Sequence, residues 1–411
     1  MRSLIRYLPP IAFVGVMALP LAQQWFGFLP RIGLNGVVDP GVETAVTLAA
    51  WHEGKLQQQI ESSIDKRLGA RDWMVRIDNQ LRYSLFGVTK RPVTCGPDSW
   101  MVEDGYLTSR SHLWGAQGCE ILGRVMTLIR AQAVLAEHGV TLLLLVTPSK
   151  AETLPEHLPW AYRLVDEAGW RRRIDVLRAV FASGKLNHLD AQALFDRWHV
   201  EEPDFPLFPR AGTHWSRVAG ARVSVALLDE LERLSGVDLV NADLDASTMG
   251  AGPGLSEDDM LQLANLLWLE GIADPMPIPR LEPRQGDRGQ PHGLLMVSSS
   301  FAWIVTEPIA NPTFCSPVSV YYYFKSAYDW NDGHWSEKRA IDFDPAALRA
   351  QILRYRFVVV ECNTSHVLQL GFGFPEAVLE AFGEPEVDPL TTVSPAVLES
   401  LKTAIVPGRR P

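Results

Sequence analysis

Two short stretches of this 411-residue chain carry the residue types of serine acyl transfer: Arg210-Ala211-Gly212-Thr213-His214-Trp215, and the turn Ser298-Ser299-Ser300-Phe301 further on. A serine hydroxyl is a weak nucleophile until an imidazole within hydrogen-bond reach takes its proton, and the imidazole works best when a third group fixes its tautomer. Ser300 ends the apolar run Leu294-Leu295-Met296-Val297, which reads as a short buried strand with the serines as the turn beyond it. Open α/β sheets gather ligands and reactive groups at the carboxyl ends of such strands. Taken singly, a serine triplet is an ordinary turn and a histidine beside a tryptophan is an ordinary half-buried side chain. It is their joint occurrence in this setting that indicates a nucleophile, Ser300, and a base, His214.

Four segments then resemble a known family, the periplasmic SGNH-hydrolase-like exopolysaccharide O-acetyltransferases of AlgJ/AlgX type. They are Arg71-Asp72-Trp73 through Asn79, Arg82 and Phe86-Gly87; Gly96-Pro97-Asp98-Ser99-Trp100-Met101; Val146-Thr147-Pro148-Ser149-Lys150 followed by Leu154-Pro155-Glu156; and Thr213-His214-Trp215 with Gly220-Ala221 and the Ser300-Phe301 turn. Each piece is weak, and the ordered set is stronger. Two positions depart from the family pattern. Its Asp-Thr-His-Trp is Gly-Thr-His-Trp here, and its Gly-Asp-Ser-Phe is Ser298-Ser299-Ser300-Phe301. Serine caps a following turn much as aspartate does, so the second change is tolerable. The first removes the carboxylate that orients the histidine, which makes the Asp-x-His motif degenerate. Asp190 and Glu361, each near the end of a predicted strand, are the candidate substitutes, and Lys150, Arg210 and Trp215 are expected to line the site.

The resemblance implies an acetyl-serine intermediate on Ser300, with the Ser300 amide in an oxyanion hole. It implies no metal and no bound cofactor, because a polytopic membrane-bound O-acyltransferase would relay the acetyl group. The alternatives are a catalytically silent SGNH-like scaffold or polysaccharide-binding component, and a carbohydrate acetyl esterase that shares every motif.

Arg2 and Arg6 precede an uncharged, mostly apolar stretch from Leu8 to Leu29, which meets the ~20 residues a bilayer requires. Proline at position 20 is poor for signal cleavage before Gln23. Residues 1–30 are therefore expected to be an uncleaved inner-membrane anchor with the body in the periplasm. Cys95, Cys119, Cys315 and Cys362 are too dispersed for a zinc site, and an even number in an exported chain suggests disulfides, with chain order favouring Cys95–Cys119 and Cys315–Cys362.

A net charge of −10 argues against nucleic acid as a partner. It also sits poorly with a polyanionic polymer outside a local basic groove, for which Arg171-Arg172-Arg173 is a candidate. A neutral glucan fits equally well, and some of the 13 tryptophans suit stacking on sugar faces, though most are expected in the core.

Positioning these residues requires an α/β sheet. Helices are expected over 49–68, 72–86, 121–138, 171–183, 216–234 and 345–355, and strands over 140–146, 188–190, 294–297, 318–323 and 356–361. Ser256 with Asp259 resembles a capping box for a helix through Leu269. The Pro-, Gly- and Arg-rich residues 272–293 read as a loop or insertion. Alternating elements predict an SGNH-hydrolase-like, doubly wound, mostly parallel sheet with helices on both faces. The expected organisation is an anchor over 1–30, a helical entry region over 31–90, and the α/β domain over 91–411.

Overall fold

The computed structural model describes residues 7–36, 45–90, 92–111, 117–167, 172–250, 257–269, 271–387 and 389. Arg2, Arg6, Arg171 and Ser256 lie outside the described residues. The chain forms two compact units, Met1–Thr94 with Met260–Gly271, and Cys95–Asp259 with Ile272–Pro411.

The first unit is helical, with helices Leu8–Phe26, Leu48–His52, Lys55–Arg67 and Arg71–Phe86. A segment from far along the chain belongs to it. On the Arg71–Phe86 helix, the buried Asn79 amide donates to the Ala264 carbonyl at 2.8 Å, and the Gln80 side-chain oxygen accepts from the Leu267 and Trp268 amides at 3.1 Å each. These bonds satisfy backbone groups that a short irregular segment leaves unpaired.

The Leu8–Phe26 helix has 19 residues, among which Phe13, Val16, Leu21 and Trp25 are exposed. Pro20 and the glutamines at 23 and 24 lower its hydropathy, and it stops at Gly27 in the left-handed region. Among the described residues, no helix is long and apolar enough to cross a membrane, so the expected spanning segment is not found.

Among the described residues the second unit contains twelve strands: β1 (Val93–Cys95, which begins in the first unit's range), β2 (Met101–Glu103), β3 (Thr141–Thr147), β4 (His188–Asp190), β5 (Ala242–Gly250), β6 (Met276–Pro283), β7 (His292–Ser298), β8 (Cys315–Tyr322), β9 (Ser326–Asn331), β10 (His334–Trp335), β11 (Arg339–Ala340) and β12 (Phe357–Asn363). The main sheet runs β10-β9-β8-β7-β12-β3-β4, with β11 also on β9. From β8 to β4 the strands are parallel, and β9, β10 and β11 add an antiparallel edge.

Period-2 alternation divides the core strands between two layers. Leu142, Leu144, Val146, Leu295, Val297, Val358 and Val360 pack with helices Gln117–Glu137, Arg173–Phe181, Pro345–Ile352 and Phe374–Phe382. Leu143, Leu145, Leu294, Met296, Phe357 and Val359 pack with helices Ala191–Glu201 and Arg217–Ser235. Each fully buried leucine or valine contributes about 1.5–3 kcal/mol, and burial on both faces explains why these strands are almost wholly apolar. The result is a doubly wound sheet with helices on both faces.

Several expectations need correction. Residues 272–293 contain β6, whose prolines are tolerated because it pairs only with β5 in a two-stranded ribbon. The helix expected to run through Leu269 is the short Asp259–Leu263. None of the four cysteines forms a disulfide. For Cys315 and Cys362 the sheet gives the reason. Cys315 begins β8 and Cys362 lies near the far end of β12, with β7 between them. Two strand spacings of ~4.8 Å each already exceed the ~7 Å Cα limit of a disulfide.

Candidate active site

The carboxyl ends of β3, β7 and β12 meet where the strand order changes direction. Thr147 ends β3, the Ser298–Ser300 turn leaves β7, and Glu361 lies near the end of β12. The Glu361 carboxylate is completely buried, accepting from the Thr147 hydroxyl on one oxygen and from the Ser299 amide at 2.7 Å on the other. Burial pushes its pKa up, against the two hydrogen bonds and His214, which pull it down. Glu361 therefore pins the turn before Ser300 to both neighbouring strands, and does not orient the histidine as expected. The Ser300 amide donates to no acceptor among the described residues.

His214 stands on the loop before the Arg217–Ser235 helix, which Ser216 caps by accepting from the Ala219 amide at 3.1 Å. Trp215 is fully buried and donates through Nε1 to the Phe301 carbonyl at 3.0 Å, tying the histidine loop to the serine turn. It is thus a support beneath the site rather than part of its lining. The helix behind approaches closely because of Gly220, where a Cβ would sit 2.3 Å from the Ile304 side chain.

His214 Nε2 is 2.8 Å from Ser300 Oγ, and Nδ1 is 2.9 Å from Asp259 Oδ2. The other Asp259 oxygen accepts from the Thr213 amide at 2.7 Å. A carboxylate only accepts, so Nδ1 carries a proton and Nε2 presents its lone pair to the serine. Asp259 therefore occupies the role that Gly212 leaves empty. Its sequence signal is confined to an acidic run, Glu257-Asp258-Asp259, which reads as a helix start. The other proposed substitute, Asp190, caps the Ala191–Glu201 helix through the Ala193 amide and pairs with Arg178 at 2.9 Å.

Lys150 does not line the site. It is buried, its three N–H groups are shared among four surrounding carbonyls, those of Met101 at 2.9 Å, Pro209 at 2.6 Å, Gly212 and, furthest, Arg210 at 3.3 Å, and Nζ lies 5.4 Å from the centre of the Trp100 ring. It holds the loop that delivers His214. Burial draws its pKa down to about 7, against the pull of Asp259. Arg210 is turned to Asp274 at 2.7 Å and the Asp98 carbonyl at 3.4 Å.

Two further residues escaped sequence reasoning. Glu103 ends β2 with its pKa raised by burial and by Asp259, and lowered by His214. The Tyr106 ring meets Phe301 edge-on at 6.0 Å.

Beside Ser300 and His214 opens a cleft of about 510 Å³, walled by Ile278 and Leu281 of β6 and by Trp303, Arg217 and Glu307. Among the described residues, no group of three or more His, Cys, Asp or Glu side chains could hold a metal ion.

A family model described as the SGNH hydrolase-like domain of acetyltransferase AlgX matches residues 93–299. The chain belongs to this family. Relatives include the probable alginate O-acetylase AlgJ of Pseudomonas putida, 25% identical over 205 residues, and that of Pseudomonas aeruginosa, 26% identical over 192 residues. These matches cover 48% and 45% of this chain and the same shares of the relatives, so the chain spans about half the length of either. The solved O-acetyltransferase domain of P. putida AlgJ is similar at 15% identity and a TM-score of 0.40, over 76% of this chain and 99% of that one.

Proposed function

We propose that this AlgX-family chain is an exopolysaccharide O-acetyltransferase working through an acetyl-Ser300 intermediate. The observation that carries the reading is the Asp259–His214–Ser300 relay at the mouth of the cleft. Ser300 Oγ attacks the carbonyl carbon of an activated acetyl ester while its proton passes to His214 Nε2. The imidazolium, stabilised by Asp259, then protonates the departing group. In the second half-reaction a sugar hydroxyl gives its proton to His214 and attacks the acetyl carbon, and Ser300 recovers the proton as it leaves. The unclaimed Ser300 amide supplies one oxyanion donor. The scaffold alternative requires a histidine without an orienting acid, and Asp259 supplies that acid.

The names of the AlgJ relatives support a polysaccharide acceptor and leave its sugar open. The acetyl group would be relayed from a polytopic membrane-bound O-acyltransferase, with no cofactor held by this chain. A periplasmic location at the inner membrane completes the proposal, supported by the exposed apolar side chains around the Leu8–Phe26 helix. Purified protein treated with an activated acetyl ester should be acetylated on Ser300. Ser300→Ala should abolish the label and His214→Ala suppress it, both with native circular dichroism. A wild-type protein that takes no label would remove the enzyme reading.

A further inference from the structure

The cleft beside Ser300 has a size and a charge pattern that distinguish classes of acceptor. Its volume of about 510 Å³ is far more than an acetyl group needs and falls within the ~300–1,000 Å³ of sites that enclose small organic ligands. One wall is the Trp303 indole, held rigid by perpendicular neighbours, Trp335 at 5.0 Å and Tyr328 at 5.3 Å between ring centres. A rigid indole offers the apolar face of a pyranose a stacking surface at little entropic cost. Arg217 and Glu307 line the same cleft and supply a donor and an acceptor for hydroxyls.

Around it, carboxylates outnumber cations among the described residues. Glu307 is in the wall, Asp259 stands behind His214, and Glu257 accepts from the Arg217 amide at 3.4 Å. Glu103 lies within the electrostatic reach of Asp259 and His214. Of the nearby cations, Lys150 is sealed beneath the loop by carbonyls and Arg210 is paired with Asp274. Among the described residues, Arg217 alone brings a guanidinium into the cleft wall. Glu257 and Glu307 already have their pKa raised by burial, and Arg217 pulls both down. A second anion brought beside them would meet repulsion in a partly desolvated site, where charges interact more strongly than in water.

We infer that the acceptor bound in this cleft is a neutral hexopyranose, stacked on Trp303 with its hydroxyls between Arg217 and Glu307, and that uronates are disfavoured. The inference rests on the acetyl-transfer reading, and the test separates the two. Acetyl-Ser300 is first formed with an activated ester and quantified by mass. It is then challenged with β-1,4-linked oligomers of glucose and of mannuronate, which share the pyranose frame and differ in the C6 carboxylate and in the configuration at C2, with a β-1,4-linked mannose oligomer as the control for the C2 difference. The glucose oligomer should discharge the acetyl-enzyme at least about tenfold faster at low salt, and added salt should narrow the gap by screening the uronate. Glu307→Gln should raise the mannuronate-to-glucose ratio severalfold, and Trp303→Leu should raise the glucose oligomer's half-saturating concentration.

Failure to form acetyl-Ser300 would overturn the transfer reading, and this inference with it. An acetyl-enzyme that forms but is discharged equally well or better by mannuronate would overturn the inference alone, whereas discharge by no oligomer faster than by water would count against transfer to sugar as well as against the inference.

Discussion

Replacing Asp259 by asparagine is the sharpest perturbation of the relay, because it keeps the shape and changes only what the side chain can donate. In the native site one carboxylate oxygen accepts from the Thr213 amide at 2.7 Å and the other from His214 Nδ1 at 2.9 Å. Asparagine has one acceptor. If its oxygen faces Thr213, its NH₂ faces Nδ1, the ring proton moves to Nε2, and Ser300 meets a donor instead of a base. If it flips, the Thr213 amide faces a second donor and is left unsatisfied, at about 1–3 kcal/mol. In either orientation the imidazolium loses a charge-assisted bond of about 1.5–3 kcal/mol. Together these amount to roughly 3–6 kcal/mol, or a loss of about 10²–10⁴ in acylation rate. Exchanging the equivalent aspartate of a serine protease for asparagine lowers turnover by about 10⁴, at the upper end of this range.

The assay is the burst of p-nitrophenol from p-nitrophenyl acetate, read together with the mass of the acetyl-enzyme and a thermal melt. Asp190→Asn serves as the contrast. It should retain acylation while losing at most about 1 kcal/mol of stability through the lost Arg178 ion pair, since asparagine caps a helix as well as aspartate. Gly212→Asp should give no gain, since His214 already has its acid. Asp259→Asn acylating within about threefold of wild type, or Gly212→Asp exceeding wild type, would refute the assignment.

Two further predictions concern groups away from the nucleophile. Lys150 has a folded-state pKa of about 7 against an ordinary 10.5, so between those values the unfolded chain binds the extra proton. Stability should therefore rise with pH across this window, by up to about 1.4 kcal/mol per unit from this group. Urea midpoints at several pH values would show it, and an unchanged slope in Lys150→Met would contradict it. Among the thiols, exposed Cys119 should react with a maleimide in the native protein. Cys315 and Cys362, buried and with their pKa pushed up (Cys315 to about 12), should react only after unfolding. Fast native labelling of either buried thiol would count against this packing.

The local features of this chain were legible from its residues. An apolar run ending in serines must be a buried strand leaving the core, so Ser300 lands at a carboxyl edge. The helix behind His214 announces itself by its apolar spacing. Pro-, Gly- and Arg-rich residues concealed β6, because composition cannot show that an edge ribbon tolerates prolines. Partnership across the chain is decided only in three dimensions. Nothing in Glu257-Asp258-Asp259 distinguishes a helix start from the acid that orients His214, since that role depends on a loop arriving from 45 residues away. Glu361 and Asp190 end strands, as an orienting acid would, yet the Ser299 amide and Arg178 claim them first. Lys150 shows the same limit. Its motif promised a side chain facing substrate, but the tertiary fold surrounds the ammonium with carbonyls, because a buried charge must find hydrogen-bond partners wherever packing places it.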